Sequence, residues 1–247
     1  MSKVIVITGG SAGIGAASGA LLASQGHQVV LVARRQAALE DVASRSGRHA
    51  AIQVADVTNR AQVRRVVDDT VARFHRIDVW INNAGLGISR NPTELTDADI
   101  DAIMRANVHS ALYGMQEVLP HFKQRGEGHI INISSLLGRI PYVVIRSAYV
   151  GAKHFLNALT AMMRAEVQAT HPGIQISLVS PGVVRTDFGL NAVHGGPDSR
   201  AFPETQSAEE VAAVIAKVID TRQPDVYTRP AQQMIANYYA TVGVDPQ

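Results

Sequence analysis

Seven short runs rich in Val and Ile punctuate the chain, at residues 4–8, 28–33, 51–55, 77–81, 129–134, 174–180 and 225–228. Their apolar positions are consecutive rather than alternating, as in strands covered on both faces. Between these runs the apolar spacing becomes helical, most clearly over 13–25, 60–74 and 208–219. Strands alternating with helices build right-handed βαβ units, which predicts a doubly wound α/β sheet of about seven parallel strands with helices on both faces. No repeat, low-complexity tract or Pro/Ser linker interrupts the pattern, so residues 1–247 are expected to form one domain.

Two helical stretches are more apolar than a single sheet contact requires. Residues 100–122 carry Ile103, Met104, Val108, Leu112, Met115 and Val118, and residues 149–169 carry Val150, Phe155, Leu156, Leu159, Met162 and Met163. A helix with one face on a sheet needs one apolar stripe. The excess predicts a second contact, and a homodimer or homotetramer is expected to supply it.

Composition narrows the partners. Lys and Arg number 23 against 21 Asp and Glu, and no basic run suited to nucleic acid occurs. The 247 residues contain no cysteine, which removes disulfides, thiolate metal sites and a thiol nucleophile. The nine His are scattered without a metal-binding spacing, so no metal is expected. No apolar run reaches the roughly 18–20 residues that span a bilayer, and no signal peptide is recognisable. A soluble cytoplasmic protein without a membrane partner is the expectation.

The first strand runs into Thr8-Gly9-Gly10-Ser11-Ala12-Gly13-Ile14-Gly15, with a helix beginning there. Glycines allow a sharp turn and close backbone approach, and the free N–H groups of a helix start attract an anion such as a pyrophosphate. Read as Gly-x-Gly-x-x-Gly from Gly13, the fingerprint is imperfect, because Ser18 holds the last position.

Further segments are more specific. The loop spacing Thr-Gly-x3-Gly-x-Gly, Asn82-Asn83-Ala84-Gly85, Ser135, Tyr149-x3-Lys153, and Pro181-Gly182-Val183-Val184-Arg185-Thr186 follow in order over about 3–188. Together they resemble the short-chain dehydrogenase/reductase family, in its NADP-preferring branch of roughly this length, and imply a single-domain Rossmann-type fold. The resemblance places Gly9, Ser11, Gly13, Ile14 and Gly15 around the phosphates. It places Asp56 and Val57 at the adenine, and Asn83, Ala84 and Gly85 along the adenosine ribose and central sheet. Val184 and Thr186, following Pro181 and Gly182, would hold the nicotinamide carboxamide. Asp56 fits equally well as a turn or cap residue before Thr58 and Asn59.

After the second strand, where an NAD enzyme carries an acid for the ribose 2′-hydroxyl, this chain has Arg34-Arg35. Two guanidinium groups suit a 2′-phosphate, so NADP(H) is the expected cofactor.

On a helix, residues four apart share a face, so Lys153 can set a cation near the Tyr149 hydroxyl. That charge is expected to bring the phenol down from its ordinary pKa of about 10 toward neutrality. Tyr149 would then exchange a proton with a carbonyl or alcohol oxygen while Ser135 hydrogen-bonds that oxygen. By the resemblance Lys153 also contacts the nicotinamide ribose, and Asn107 holds a water that relays protons to it. An Asn there can alternatively back-bond to the helix and kink it. Fourteen residues separate Ser135 from Tyr149, one more than the family usually shows, which points to an extra residue within 139–147.

The pocket walls are expected from 86–88, 136–144 and a Gly-rich lid around 188–205. Tyr142, Val143, Val144, Phe188 and Leu190 suggest carbonyl substrates with apolar substituents. After the last strand the chain departs from the family's common ending and shows a helical pattern near 231–240. The leading expectation is an NADPH-dependent carbonyl reductase, reversible as an alcohol dehydrogenase. The alternatives are a 3-oxoacyl-thioester reductase and a non-catalytic NADP-sensing regulator.

Overall fold

A computed structural model describes residues 2–242. Its strands are β1 (Val4–Thr8), β2 (Gln28–Ala33), β3 (Ala50–Val54), β4 (Val79–Asn82), β5 (Gly128–Ile133), β6 (Ile174–Ser180) and β7 (Asp225–Tyr227). All pair in parallel in the order β3-β2-β1-β4-β5-β6-β7. The direction of winding reverses between β1 and β4. The connections leaving those two strands therefore run to opposite sides, and the crevice where such sheets bind ligands lies outside their carboxyl ends.

The helices are α1 (Gly13–Ser24), α2 (Gln36–Ser46), α3 (Arg60–Phe74), α4 (Asp97–Met104), α5 (Ser110–Arg125), α6 (Ser147–Thr170), α7 (Ala208–Thr221) and α8 (Gln232–Val242). Consecutive strand residues feed opposite faces, which accounts for the unbroken apolar runs. Ile5, Ile7, Leu31 and Ile81 pack toward α1 and α7, while Val6, Val30, Trp80 and Ile130 pack with residues of α3 and α5. A third cluster joins Ile88, Ile103 and Val108 to Ala148, Tyr149 and Ala152 of α6.

Two expected elements differ. The fourth strand, expected over 77–81, runs over Val79–Asn82; ahead of it the Ile77 N–H is taken by His121 Nε2, and Asp78 is tied to Val4 by both its N–H and its carboxylate. The helix expected over 100–122 is two helices joined by a π-helical turn, Arg105–His109. The expected C-terminal helix is present as α8, and its Tyr238 and Tyr239 hydroxyls donate to the Pro141 and Arg139 carbonyls. That helix therefore braces the loop between β5 and α6.

The apolar surplus on α6 is partly exposed: Phe155 is 51% and Met162 66% accessible. Among the described residues, no helix is long and apolar enough to cross a membrane.

Candidate active site

The glycine turn is held from the neighbouring strand. Thr8 Oγ1 accepts from the Asn83 and Ala84 N–H groups at 3.0 and 3.1 Å. Asn83 Nδ2 donates back to the Thr8 and Gly9 carbonyls at 2.9 and 3.3 Å. Asn83, assigned by resemblance to the ribose, thus spends its side-chain donor on clamping the loop. Gly9 and Gly13 adopt φ of 68° and 52°, the left-handed region that favours glycine. A Cβ on Gly15 would meet the Gly9 carbonyl oxygen and lie 2.6 Å from Asn83 Nδ2. Gly19, which the sequence reading passed over, lets α1 approach β2, since its Cβ would lie 2.5 Å from Leu31 Cδ2. It performs the close-packing role that the imperfect fingerprint left to Ser18.

The start of α1 fits a phosphate group. Its N-cap is Ala12, which offers no side-chain cap, and its first turn carries no acid. The first N–H groups are therefore available to an anionic ligand. Thr186 lies across this turn, its Cγ2 3.1 Å from where a Gly13 Cβ would sit. Ile14 is partly buried against the core of the α1 side. The turn before Thr186 is braced: Gln206 Oε1 accepts from the Gly182 N–H, Leu136 N–H donates to the Pro181 carbonyl, and Val184 bridges to Gln206.

Arg34 and Arg35 are exposed where β2 ends, and neither has a carboxylate within 4.0 Å among the described residues. Arg35 Nη2 reaches Ser11 Oγ of the glycine turn at 3.5 Å. Two unneutralised guanidinium groups therefore stand at the end of β2, that of Arg35 beside the glycine turn, and such groups are suited to a phosphate. Asp56 follows β3 and closes a turn, its Oδ1 accepting from the Thr58 N–H and hydroxyl at 2.9 and 2.8 Å. Val57, beside it, packs against the core on the α3 side.

Ser135, Tyr149 and Lys153 come together at the carboxyl end of β5 and the first turns of α6. Ser135 caps the short 3-10 turn Leu136–Gly138, its Oγ accepting from the Leu137 N–H at 3.2 Å. Ser134 hydrogen-bonds across to Asn157, whose Nδ2 donates to the Gly138 carbonyl at 2.8 Å. Both ends of the Ser135 loop are thereby tied to α6. Beneath the site runs a buried polar chain that apolar periodicity did not reveal. Trp80 Nε1 donates to Asn82, Asn82 to Asn132 and Asn132 to Thr160, at 2.7, 2.8 and 2.9 Å. Its only sequence signal is a pair of Asn residues ending otherwise apolar strand runs.

Asn107 lies in the π-helical turn, buried. Its Nδ2 donates to the Leu86 and Ile103 carbonyls at 2.8 and 2.9 Å, and its Oδ1 accepts from the Leu86 N–H at 3.2 Å. The side chain back-bonds to the helix and pins the loop after β4, so its amide positions backbone. A Cβ on the adjoining Gly85 would lie 2.9 Å from Asn107 Oδ1 and 3.8 Å from Lys153 Nζ.

The electrostatics depart from expectation. Lys153 is 4% exposed, with Nζ 5.6 Å from the Tyr149 ring centroid and donating to the Ile133 carbonyl at 2.9 Å. Burial pushes the Tyr149 phenol up to about 12, opposed by the Ser135 hydroxyl and then by the Arg146 guanidinium. Burial also brings the Lys153 ammonium down to about 8. In place of the expected lowering, desolvation raises the phenol, and the Arg146 guanidinium opposes part of that rise.

The expected lid is fastened at its first half. Val193 exchanges backbone bonds with Gly87 and Ser89. His194 and Arg90 both engage the Asp99 carboxylate, at 2.7 and 3.0 Å. Phe188 sets its ring centroid 5.5 Å from that of Tyr149.

A crevice at a topological switch point, a glycine-lined phosphate turn and a buried Tyr/Lys/Ser group define the class of dinucleotide-binding oxidoreductases. The sequence model of the short chain dehydrogenases matches residues 3–194, and the chain belongs to the short-chain dehydrogenase/reductase family. An oxidoreductase of Staphylococcus saprophyticus is 34% identical over 187 residues, covering 75% of this chain and 76% of its own. Oxidoreductase BOA17 of Botryotinia fuckeliana is 31% identical over 244 residues, 91% of this chain and 87% of its own. A short-chain dehydrogenase from Sphingobium yanoikuyae in complex with NADPH superposes with TM-score 0.82 at 30% identity, over 98% of this chain and 92% of that one. One from Burkholderia phymatum in complex with NAD shares the fold, with TM-score 0.89 at 23% identity over 100% and 96%. The fold thus serves both coenzymes, and the protein is an oxidoreductase acting on small molecules.

Proposed function

We propose that the protein is an NADPH-dependent carbonyl reductase, reversible as an alcohol dehydrogenase, acting on ketones or aldehydes with apolar substituents. The observation that carries this reading is the convergence of Tyr149, Lys153 and Ser135 beside a coenzyme turn, with unneutralised Arg34 and Arg35 at the end of β2. The coenzyme supplies the hydride in reduction and accepts it in oxidation.

The protein's own part is proton handling and charge stabilisation. Tyr149 donates its hydroxyl proton to the carbonyl oxygen in the reductive direction. Ser135 donates a hydrogen bond to the same oxygen as negative charge develops there. Lys153 keeps a cation behind the phenol and compensates the charge left when the proton departs. Asn107 fixes the loop after β4 and so the wall facing Tyr149. Gly9, Ser11, Gly13, Ile14, Gly15, Thr186, Val184, Pro181 and Gly182 frame the coenzyme turn, with Asp56, Val57, Asn83, Ala84 and Gly85 along its adenosine side.

The exposed Phe155 and Met162 of α6 support assembly as a homo-oligomer, which sedimentation at micromolar concentration checks. A stable monomer refutes the assembly. The activity is tested by following NADPH oxidation across aryl ketones, diketones, steroids and acyl thioesters, with Tyr149→Phe as control. Turnover that survives in Tyr149→Phe refutes the proton assignment, and turnover confined to acyl thioesters would identify a 3-oxoacyl-thioester reductase instead.

A further inference from the structure

Residues 187–194 run from the coenzyme turn across the proposed proton donor. At the near end the Phe188 N–H donates to Thr186 Oγ1 at 3.3 Å. Within the segment the Asn191 N–H donates to the Asp187 carbonyl and the Ala192 N–H to the Gly189 carbonyl, at 2.9 and 3.2 Å. Two of its side chains pack at Tyr149. The Phe188 and Tyr149 ring centroids lie 5.5 Å apart, and Val193 packs on the buried cluster that contains Tyr149. Tyr149 is only 8% exposed. A donor so enclosed meets a substrate atom only after part of its cover moves.

The far end of the segment is fastened by a side chain. His194 Nε2 lies 2.7 Å from Asp99 Oδ1, and because a carboxylate only accepts, the imidazole donates. Asp99 Oδ2 accepts from Arg90 Nη1 at 3.0 Å and from the Thr96 N–H and hydroxyl at 3.0 and 2.9 Å. The two partners are unlike: the Asp99 side chain is 6% exposed within α4, whereas that of His194 is 41% exposed. The imidazole is therefore the partner placed to leave, and Arg90 and Thr96 still satisfy the carboxylate when it does. Arg90 Nη1 also stands 3.2 Å from His194 Nε2, a donor facing a donor, which eases release. His194 holds φ of 63°, in the left-handed region that is uncommon for a residue with a side chain and persists where contacts compensate. Glycine would suit this turn better but could not reach Asp99. The bond from His194 to Asp99 thus holds the segment down against local backbone preference. Gly195 follows with φ of 74° and nothing within 4 Å of its Cβ position, so the chain beside the fastening is unencumbered.

We propose that His194 is a positioning residue that, through Asp99, latches residues 187–194 over Tyr149, so that a carbonyl substrate reaches the proton donor when this latch opens. The control of substrate access rests on the carbonyl reductase reading; the cover over Tyr149 does not.

The test uses the whole chain as wild type, His194→Gly, His194→Ala and His194→Gln. Cover is read without turnover, as the rate at which N-acetylimidazole acetylates Tyr149, resolved by peptide mass spectrometry. Tyr142, already 49% exposed, is the internal reference. His194→Gly and His194→Ala should raise the Tyr149 rate by on the order of 10-fold, as loss of a hydrogen bond to a charged group does, and leave Tyr142 within about 2-fold. His194→Gln, whose amide can donate to Asp99, should restore most of the protection. His194→Gly should melt no lower than His194→Ala, since glycine accepts the positive φ. Protection retained in His194→Gly would mean that the backbone conformation alone holds the segment, and overturns the latch. An unchanged rate in both variants does the same. With acetophenone and NADPH, His194→Gly should lower KM by about 3- to 10-fold with kcat within about 2-fold, because more of the enzyme is open to substrate. A KM that stays or rises overturns the control of access. If neither wild type nor variants reduce any carbonyl compound while the acetylation rates follow this order, the reductase reading fails and the latch stands.

Discussion

Gly15→Ala tests the geometry of the coenzyme turn most directly. The added Cβ would sit 2.6 Å from Asn83 Nδ2 and closer still to the Gly9 carbonyl oxygen, itself an acceptor of Asn83. Neither neighbour is the free end of a flexible chain. Gly9 is backbone at φ 68°, and Asn83 is tied to Thr8 as well. Overpacking of this kind costs about 1–3 kcal/mol, and loss of the Asn83–Gly9 bond adds about 1 kcal/mol. The strain of about 2–4 kcal/mol must appear in one of two places. If the loop holds its shape, Tm falls by about 4–8 °C at the lower bound of that strain, for a chain of this size. If the loop relaxes, the turn no longer presents its N–H groups correctly, and the coenzyme Kd rises by roughly 30- to 1000-fold. Calorimetry and titration of NADPH fluorescence read the two terms on the same samples. Gly151→Ala is the control, because nothing lies within 4 Å of its Cβ position in α6. It should stabilise by about 0.4–1 kcal/mol through the unfolded chain. A Gly15→Ala protein with Tm within about 1 °C and Kd within about 3-fold of wild type would refute the close approach described for this turn.

Arg34→Asp should reduce the NADPH-to-NADH ratio of kcat/KM by at least about 10- to 100-fold, since it removes a charged donor and adds a repelling acid; an unchanged ratio rejects the 2′-phosphate assignment. The phenol of Tyr149, held at about 12 by burial, should contribute no tyrosinate absorbance below about pH 10 in the coenzyme-free enzyme. A difference titration of wild type against Tyr149→Phe checks this, and a step below pH 9 contradicts it. His129, buried against Ser177, has its imidazole lowered from 6.5 to about 3 by burial. The unfolded chain takes up the proton that the folded chain refuses. The contribution of His129 is therefore complete above pH 6.5 and is lost progressively as pH falls toward 3. Denaturant titrations of wild type should show this acid loss, on the order of a few kcal/mol, and His129→Gln should flatten it; an unflattened limb rejects the assignment.

The sequence by itself determined the layers and most of their contents. Local, periodic signals are written residue by residue, so β1, β2, β6 and α3 begin and end where the apolar runs do. The glycine turn and the Tyr149–Lys153 pair were equally legible, because a turn and a helix face are set by neighbours within five residues. Tertiary structure decided what depends on distant partners. The long helix breaks where Asn107 spends its amide on the Leu86 loop, twenty-one residues away. Asn83 clamps the Gly9 carbonyl from another strand, and Gly19 matters only because Leu31 lies against it. The same holds for charge. Spacing placed Lys153 one turn from Tyr149, but only packing set its ammonium on the Ile133 carbonyl and brought Arg146 to the phenol. Helical and strand periods encode direction along one element, whereas desolvation and ion pairing depend on which elements the fold presses together.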